Sequence, residues 1–291
     1  MTNKMKFDII IPVATKDIKF IPVVVKYIKC NIIGVENIYI ITNITNKKRL
    51  TKYIHNSDVK ILDEDNIIED LTFNKISKLL YNKTHETSQT GWYFQQFLKY
   101  AFAYSQYANN FYLSWDADTL PINKINFFSY EQPLFTRKIE YHEPYFNTMK
   151  KIIGLNRQVN FSFIAEHMLF KTSIVKELIE KIMSSNINGY SWYEKIINAC
   201  DFQIDKFNLF SEFETYGNFC IKYHKDLYGI RTLNTFRSAG MIKGRQINKH
   251  IINKLALDIQ IASFELRDAP FPYNIAWLYY RLKNKIRKIF K

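Results

Sequence analysis

The sequence predicts an α/β protein: a mostly parallel sheet with helices on both faces, followed by a basic helical extension. Three observations carry this. Short β-branched runs alternate with stretches of helical spacing through the N-terminal part of the chain. Glycine and proline are scarce, 8 and 7 in 291 residues, and no internal repeat or segment of linker composition appears. Hydrophobic residues reach 47%, enough for a large core and too many for a disordered chain.

Phe7-Asp8-Ile9-Ile10-Ile11-Pro12-Val13 is an apolar run closed by proline, the pattern of a buried first strand. Ile18, Ile21, Val25 and Ile28 recur at helical spacing and predict a helix over 16–30. Residues 37–41 form a second buried strand closed by Thr42-Asn43; residues 59–62 form a third, followed by Asp63-Glu64-Asp65. Strand, helix, strand, short helix, strand is the order of a parallel sheet, which binds ligands at the carboxyl ends of its strands. A helix without internal Gly or Pro is expected over 92–108. Residues 111–115 are a fourth strand running into Asp116-Ala117-Asp118. Fifth and sixth strands are expected at 133–136 and 167–170, the latter leading to a helix over 173–184 capped by Thr172 or Ser173. Helices over 191–200 and 211–222 and an extended stretch over 228–236 complete a domain spanning 1–240, with 241–291 as the helical extension.

The charge narrows the partners. Lys and Arg total 41 against 27 Asp and Glu, a net charge of +14, which favours an anionic partner such as a nucleotide phosphate, a nucleic acid or a membrane surface. Cys30, Cys200 and Cys220 lie far apart with no C-x-x-C spacing, so neither a disulfide scaffold nor a cysteine zinc site is expected. Free thiols suit a reducing cytosol. The first apolar run is short and broken by Asp8 and Pro12, which argues against a secretory leader, and no run reaches the ~18 apolar residues of a membrane span.

Trp115-Asp116-Ala117-Asp118-Thr119 is the strongest local signal. Residues i and i+2 of a strand point the same way, so two carboxylates can face one point at the sheet edge. Hard oxygen ligands there suit Mg²⁺ or Mn²⁺, and a cation bridging diphosphate oxygens neutralises charge on a nucleotide leaving group. A solvated Asx turn after a strand is the simpler alternative.

With that motif in place, the chain resembles GT-A nucleotide-sugar glycosyltransferases. Gly91-Trp92-Tyr93-Phe94-Gln95-Gln96-Phe97-Leu98-Lys99 resembles the GW-x-x-QQ-x-x-K helix of a bacterial glycosyltransferase family found in capsule and lipopolysaccharide loci. Ile10-Ile11-Pro12-Val13-Ala14-Thr15-Lys16-Asp17 is similar to its opening strand and loop. Glu140-Tyr141-His142-Glu143-Pro144-Tyr145-Phe146, Ala165-Glu166-His167-Met168-Leu169-Phe170 and Ser211-Glu212-Phe213-Glu214-Thr215-Tyr216-Gly217-Asn218 look like its later blocks, so the resemblance spans roughly 6–237.

The resemblance implies roles. Pro12, Val13, Thr15 and Asp17 occupy the position that holds the donor's base and ribose, where the resemblance implies the uridine of a UDP-sugar, with Thr42 at the next strand end as a neighbour. Gln95 and Lys99, or Gln96 and Lys99, share a helix face that can meet donor phosphate and sugar. Asp118 is the first metal ligand and Asp116 the second, with Asp116 also reaching the ribose side; a C-terminal His, here His224 or His250, serves as a third ligand in some such enzymes. Glu212 and Glu214 open a helix after a Ser211 cap, a placement the helix dipole explains by itself, yet an acidic residue there is the general base of inverting members. Glu166 is the next candidate base, and His167 a contact for sugar hydroxyls. Glu140, Tyr141 and His142 fall on the acceptor side.

Competing classes fit less well. A sugar-1-phosphate nucleotidyltransferase wants a Gly-rich phosphate loop after the first strand, and Ala14-Thr15-Lys16-Asp17 has no glycine. A nucleic-acid-binding protein wants a basic stripe on the folded domain; the charge here gathers at the chain end, beside no nucleic-acid motif. There Arg281, Lys283, Lys285, Arg287, Lys288 and Lys291 interleave with Trp277, Leu278, Tyr279, Tyr280, Leu282, Ile286, Ile289 and Phe290. This is the composition of a helix lying on an anionic membrane surface, which would place a cytoplasmic enzyme beside a lipid-linked glycan acceptor. The plainer alternative is a solvated basic tail whose apolar residues pack on the domain or on a second subunit.

Overall fold

The structure is a computed structural model and describes residues 5–205, 207–246 and 248–289; Phe290 and Lys291 of the basic tail lie outside the described residues. It consists of two compact units. One contains the chain up to Pro12, Gly34–Trp115 and Phe127–Thr232; the other contains Val13–Ile33, Asp116–Asn126 and the chain from Leu233 on.

The first unit is built on a five-stranded sheet: β1 (Phe7–Pro12), β2 (Val35–Thr42), β3 (Val59–Asp63), β4 (Phe111–Trp115) and β5 (His167–Lys171), in the order β5-β4-β1-β2-β3. The first four are parallel, and β5 runs antiparallel to β4. Burial on both faces explains the unbroken apolar runs in β1 and β2. Along one face, Ile10, Tyr39, Ile41, Tyr112 and Phe170 join a core completed by helices Phe73–Thr84, α1 (Thr90–Ala101), Glu143–Ile153, Thr172–Met183, Trp192–Ala199 and α2 (Glu212–Tyr223). On alternate positions Phe7, Trp115 and His167 all meet the ring of Phe127. The buried Asp8 carboxylate accepts hydrogen bonds from Asn37 and Asn109, so its charge is solvated by amides inside the sheet.

Several expectations shift. The helix placed over 92–108 starts at Thr90, ends at Ala101 and passes into a short 3₁₀ turn, Phe102–Tyr104. Neither Thr172 nor Ser173 caps the helix Thr172–Met183: its N-cap is Lys171, without a side-chain bond, and the Thr172 hydroxyl donates to the carbonyl of Asn109. The strand at 133–136 does not join the central sheet. As Gln132–Thr136 it lies in a separate three-stranded sheet, parallel to Gly229–Arg231 and antiparallel to Phe128–Ser129.

The second unit gathers three distant segments. Its helix Ile21–Asn31 begins five residues later than the spacing suggests, because Pro22 sits in its first turn and residues 15–20 are turns. Thr119–Pro121 pairs antiparallel with Ile261–Ser263, which pairs parallel with Thr235–Phe236. Ile32–Ile33 pairs with Ile125–Asn126. Hydrogen bonds reinforce the assembly: Asn31 donates to the carbonyl of Pro121, Thr119 and Ser263 share one at 2.8 Å, and Asn123 donates to the carbonyls of Ala256 and Ile259. The segment from 241 onward therefore belongs with the residues that follow β1 and β4 in sequence.

Candidate functional site

In the first unit the parallel register brings the carboxyl ends of β1, β2 and β4 to one edge: Pro12 lies opposite Ile41, and Ile10 opposite Ser114. Pro12 and Thr42 are buried there, and the Thr42 hydroxyl accepts a hydrogen bond from the Asn46 side chain. The chain enters the second unit directly after Pro12 and directly after Trp115.

Within the second unit, Asp17 and Asp118 belong to one charged cluster. Arg245 Nη2 donates to Asp17 Oδ1 at 2.5 Å and lies 3.9 Å from Asp118 Oδ2. Lys16 Nζ is 3.4 Å from Asp17 Oδ2. Burial raises the Asp118 carboxyl above the ordinary range, and the Asp17 charge adds to this; Lys16 and Arg245 pull the other way. Glu265 is raised too, first by burial and then by Asp118. Asp118 is not the exposed strand-end carboxylate that its position suggests: its side chain is 16% exposed. Asp116 is half-buried, and its carbonyl accepts from the Thr119 amide at 3.2 Å. Val13 is buried and Thr15 exposed.

Arg245 was not legible as a site residue. It stands 228 positions from Asp17, with no motif around it.

The cluster's oxygen chemistry fits Mg²⁺ or Mn²⁺ in one manner. Among the described residues no group of three or more His, Cys, Asp or Glu side chains forms a closed cage. Such ions at nucleotide sites commonly take one or two carboxylates and leave their other positions to phosphate and water. The Asp118 carboxyl, raised first by burial and then by the Asp17 charge, is a donor that a divalent cation would favour in its ionised form.

The first unit holds the remaining predicted residues. On α1, Lys99 Nζ lies 2.7 Å from Glu212 Oε1 and 4.3 Å from the Phe213 ring centroid. The Gln96 side-chain oxygen accepts from the Glu212 amide, and the Tyr100 hydroxyl donates to the Glu212 carbonyl. Thus Gln96 and Lys99, expected to face donor phosphate, both grip the first residue of α2; Gln95 is half-buried. Ser211 caps α2 by accepting from the Glu214 amide, as the sequence suggests. The buried Glu214 carboxylate accepts from the Ser162 hydroxyl, the Phe163 amide and the Asn218 side chain. Burial raises its carboxyl, and those three bonds with the Arg157 charge limit the rise.

Glu166 is buried, 3.7 Å from Lys138 Nζ. His167, expected at sugar hydroxyls, sits in the core: its ring stacks on Trp115 at 5.4 Å, and Nε2 shares a hydrogen bond with Thr136. Burial, with the nearby Arg231 and Lys138 charges, holds the ring neutral. His224, expected as a third metal ligand, lies at the end of α2 with Nε2 2.8 Å from Glu177 Oε2. The structure thus places it in the first unit, and Asp116 and Asp118 in the second. His250 is exposed on the helix Lys249–Leu255 of the second unit. Tyr141, 60% exposed, stacks on Phe146, with the Arg157 guanidinium 5.0 Å from its ring; His142 bonds the Asn208 carbonyl; Glu140 is half-buried.

No family model matches the chain, and no curated protein matches it. Several solved structures are similar at low identity. Galactosyltransferase LgtC, crystallised with donor and acceptor sugar analogues, aligns over 89% of this chain and 87% of its own, at 10% identity and a TM-score of 0.40. Mouse xyloside xylosyltransferase 1 aligns over 92% of this chain and 100% of its own, at 11% identity and a TM-score of 0.42. Glycosyltransferase GlyE of Streptococcus pneumoniae TIGR4 aligns over 95% of this chain at 14% identity and a TM-score of 0.42, and the alignment spans 60% of GlyE.

Proposed function

We propose that the chain is a glycosyltransferase that moves a sugar from a nucleotide-diphosphate donor, a UDP-sugar, to a hydroxyl of a growing surface glycan. The observation that carries the reading is Asp116-Ala117-Asp118 directly after the buried strand β4, with Asp118 set beside Asp17 in a cluster of charged groups. A mostly parallel sheet and the blocks at 10–17, 91–99 and 211–218 support it from the sequence side.

Asp118, with Asp116, would hold Mn²⁺ or Mg²⁺, which when bound would supply positive charge to the departing diphosphate. Asp17, Thr15 and Val13, in the segment after β1, orient the nucleoside. For an inverting reaction, Glu214 takes the proton of the acceptor hydroxyl. Its raised carboxyl brings its proton affinity closer to that of a base working near neutral pH, and Glu212 and Glu166 are the alternatives. The acceptor is a capsule or lipopolysaccharide glycan on a lipid carrier at the cytoplasmic membrane face.

The helix Ile275–Ile289 supports this placement. Ile275, Leu278, Tyr279, Leu282 and Ile286 fall on one helical face, and all are at least 45% exposed, beside exposed Arg281 and Lys283. No helix among the described residues is long and apolar enough to cross a membrane, so attachment would be peripheral.

A donor-hydrolysis screen tests the reading. Purified protein with Mn²⁺ should cleave at least one nucleotide sugar and stop in EDTA. Failure to bind UDP or any nucleotide sugar by calorimetry, with or without divalent cations, would overturn it.

A further inference from the structure

We infer that Arg245 is a positioning residue: it fixes Asp17 and Asp118 relative to each other and so sets the geometry in which nucleotide and divalent cation are held. The inference rests on the nucleotide-sugar reading above and adds to it a residue that no motif announces.

Arg245 uses its whole fork. Nε donates to the Phe264 carbonyl at 2.9 Å, Nη1 to the Lys16 carbonyl at 3.3 Å, and Nη2 to Asp17 Oδ1 at 2.5 Å. The guanidinium also lies 4.9 Å from the Phe20 ring centroid, and Phe20 packs against Phe264 at 5.9 Å. Planar donors in a fixed arrangement can hold three acceptors at once, which a single ammonium cannot do with the same geometry.

The backbone of Phe264 completes the tie. Its amide donates to the Asp118 carbonyl at 2.8 Å while its carbonyl accepts from Arg245. One residue therefore couples the D-x-D segment to the guanidinium, and the guanidinium couples both to the loop after β1. The two carboxylates are treated differently. Asp17 is hydrogen-bonded to the fork, whereas Asp118, at 3.9 Å, receives its charge without a hydrogen bond. Arg245 thus locks Asp17 and steers Asp118, whose engagement with a cation would not require an Arg245 hydrogen bond to break. A guanidinium that orients ligand-bearing side chains from behind acts as outer-shell partners of metal sites do, where removal commonly costs about 10–100-fold in affinity.

The test uses the full chain with Mn²⁺ and UDP as probes, comparing wild type, Arg245→Ala and Arg245→Lys by calorimetry, with thermal melting to verify folding. Wild type should bind UDP in the presence of Mn²⁺, and Arg245→Ala about 10–100-fold more weakly. Arg245→Lys keeps the charge and loses the fork, so it should also bind more weakly than wild type. Methylguanidinium added to Arg245→Ala should restore part of the affinity and leave wild type unaffected. A purely structural arginine would shift the melting temperature and leave the affinity of folded protein unchanged.

Wild-type affinity in either folded variant overturns the inference alone. If both variants fail to fold, Arg245 serves stability only and the inference is likewise overturned. If wild type itself does not bind UDP with Mn²⁺, the nucleotide-sugar reading falls, and this inference with it.

Discussion

Lys99 and Glu212, 113 positions apart, form a buried ion pair at 2.7 Å, with side chains only 4% and 6% exposed. A pair so desolvated is costly to break from one side, because the remaining charge stays buried without a partner. Lys99→Met should destabilise the protein by about 3–5 kcal/mol in urea unfolding. Adding Glu212→Gln to Lys99→Met should recover much of that loss, since no unpaired charge then remains. A single-variant cost under about 1 kcal/mol would place the pair with weak surface bridges instead.

Asp118→Asn keeps the shape of a mostly buried side chain and removes its charge. Folding should survive, with a melting temperature equal to wild type or higher, because burial and then the Asp17 charge no longer act against an ionised carboxylate there. Turnover of the nucleotide sugar should be lost. EDTA should silence wild type, and Mn²⁺ or Mg²⁺ should restore it; full turnover in EDTA would remove the metal from the mechanism.

Glu214→Gln tests the base. If the reaction inverts configuration, turnover should fall roughly 10²–10⁴-fold while the affinity for UDP stays near wild type. Normal turnover in this variant, with a loss in Glu212→Gln, would transfer the role to Glu212.

Glu64 gives a pH-dependent signature unrelated to the reaction. Burial raises its carboxyl from 4.5 to about 7, and Asp65 and Asp63 push the same way. Between those values the folded protein holds a proton that the unfolded chain has released, so stability falls as pH rises through the window. At pH 4 both states are protonated and the difference vanishes. Glu64→Gln should therefore gain stability over wild type at pH 8 and little at pH 4. Equal urea midpoints for the two proteins at both pH values would contradict this.

The C-terminal helix should confer reversible membrane attachment. At about 1 kcal/mol per basic residue near an anionic surface, its cluster of Lys and Arg is sufficient at low salt. Full-length protein should sediment with anionic liposomes at low salt and dissociate at high salt, and a variant ending near residue 272 should not sediment. Indifference of full-length protein to anionic liposomes at low salt would leave the helix a structural role only.

The central strands were readable because they depend on local pattern. The runs at 7–13, 37–41, 59–62 and 111–115 need no distant partner to be recognised as apolar and β-branched, and β1 to β4 fall on them within about two residues. Ser211 was readable as a cap for the same reason: its partner, the Glu214 amide, is three residues away. Helix ends were less so, since tertiary packing decides where a helix yields to a turn, as at Ala101 and Phe102.

By itself, then, the sequence determined the alternation of strands and helices that makes a parallel α/β sheet and the placement of Asp116 and Asp118 directly after β4; the order of the strands across the sheet came from the tertiary structure. Only the tertiary structure decided what the charged side chains meet. It set Lys99 against Glu212 in the first unit, placed His167 in the core, and brought Arg245 to Asp17 and Asp118 in the second unit. The physical reason is range. Hydrophobic periodicity is written in adjacent residues, whereas the partner of a buried charge is chosen by which distant segment the packed core leaves within about 3–4 Å of it.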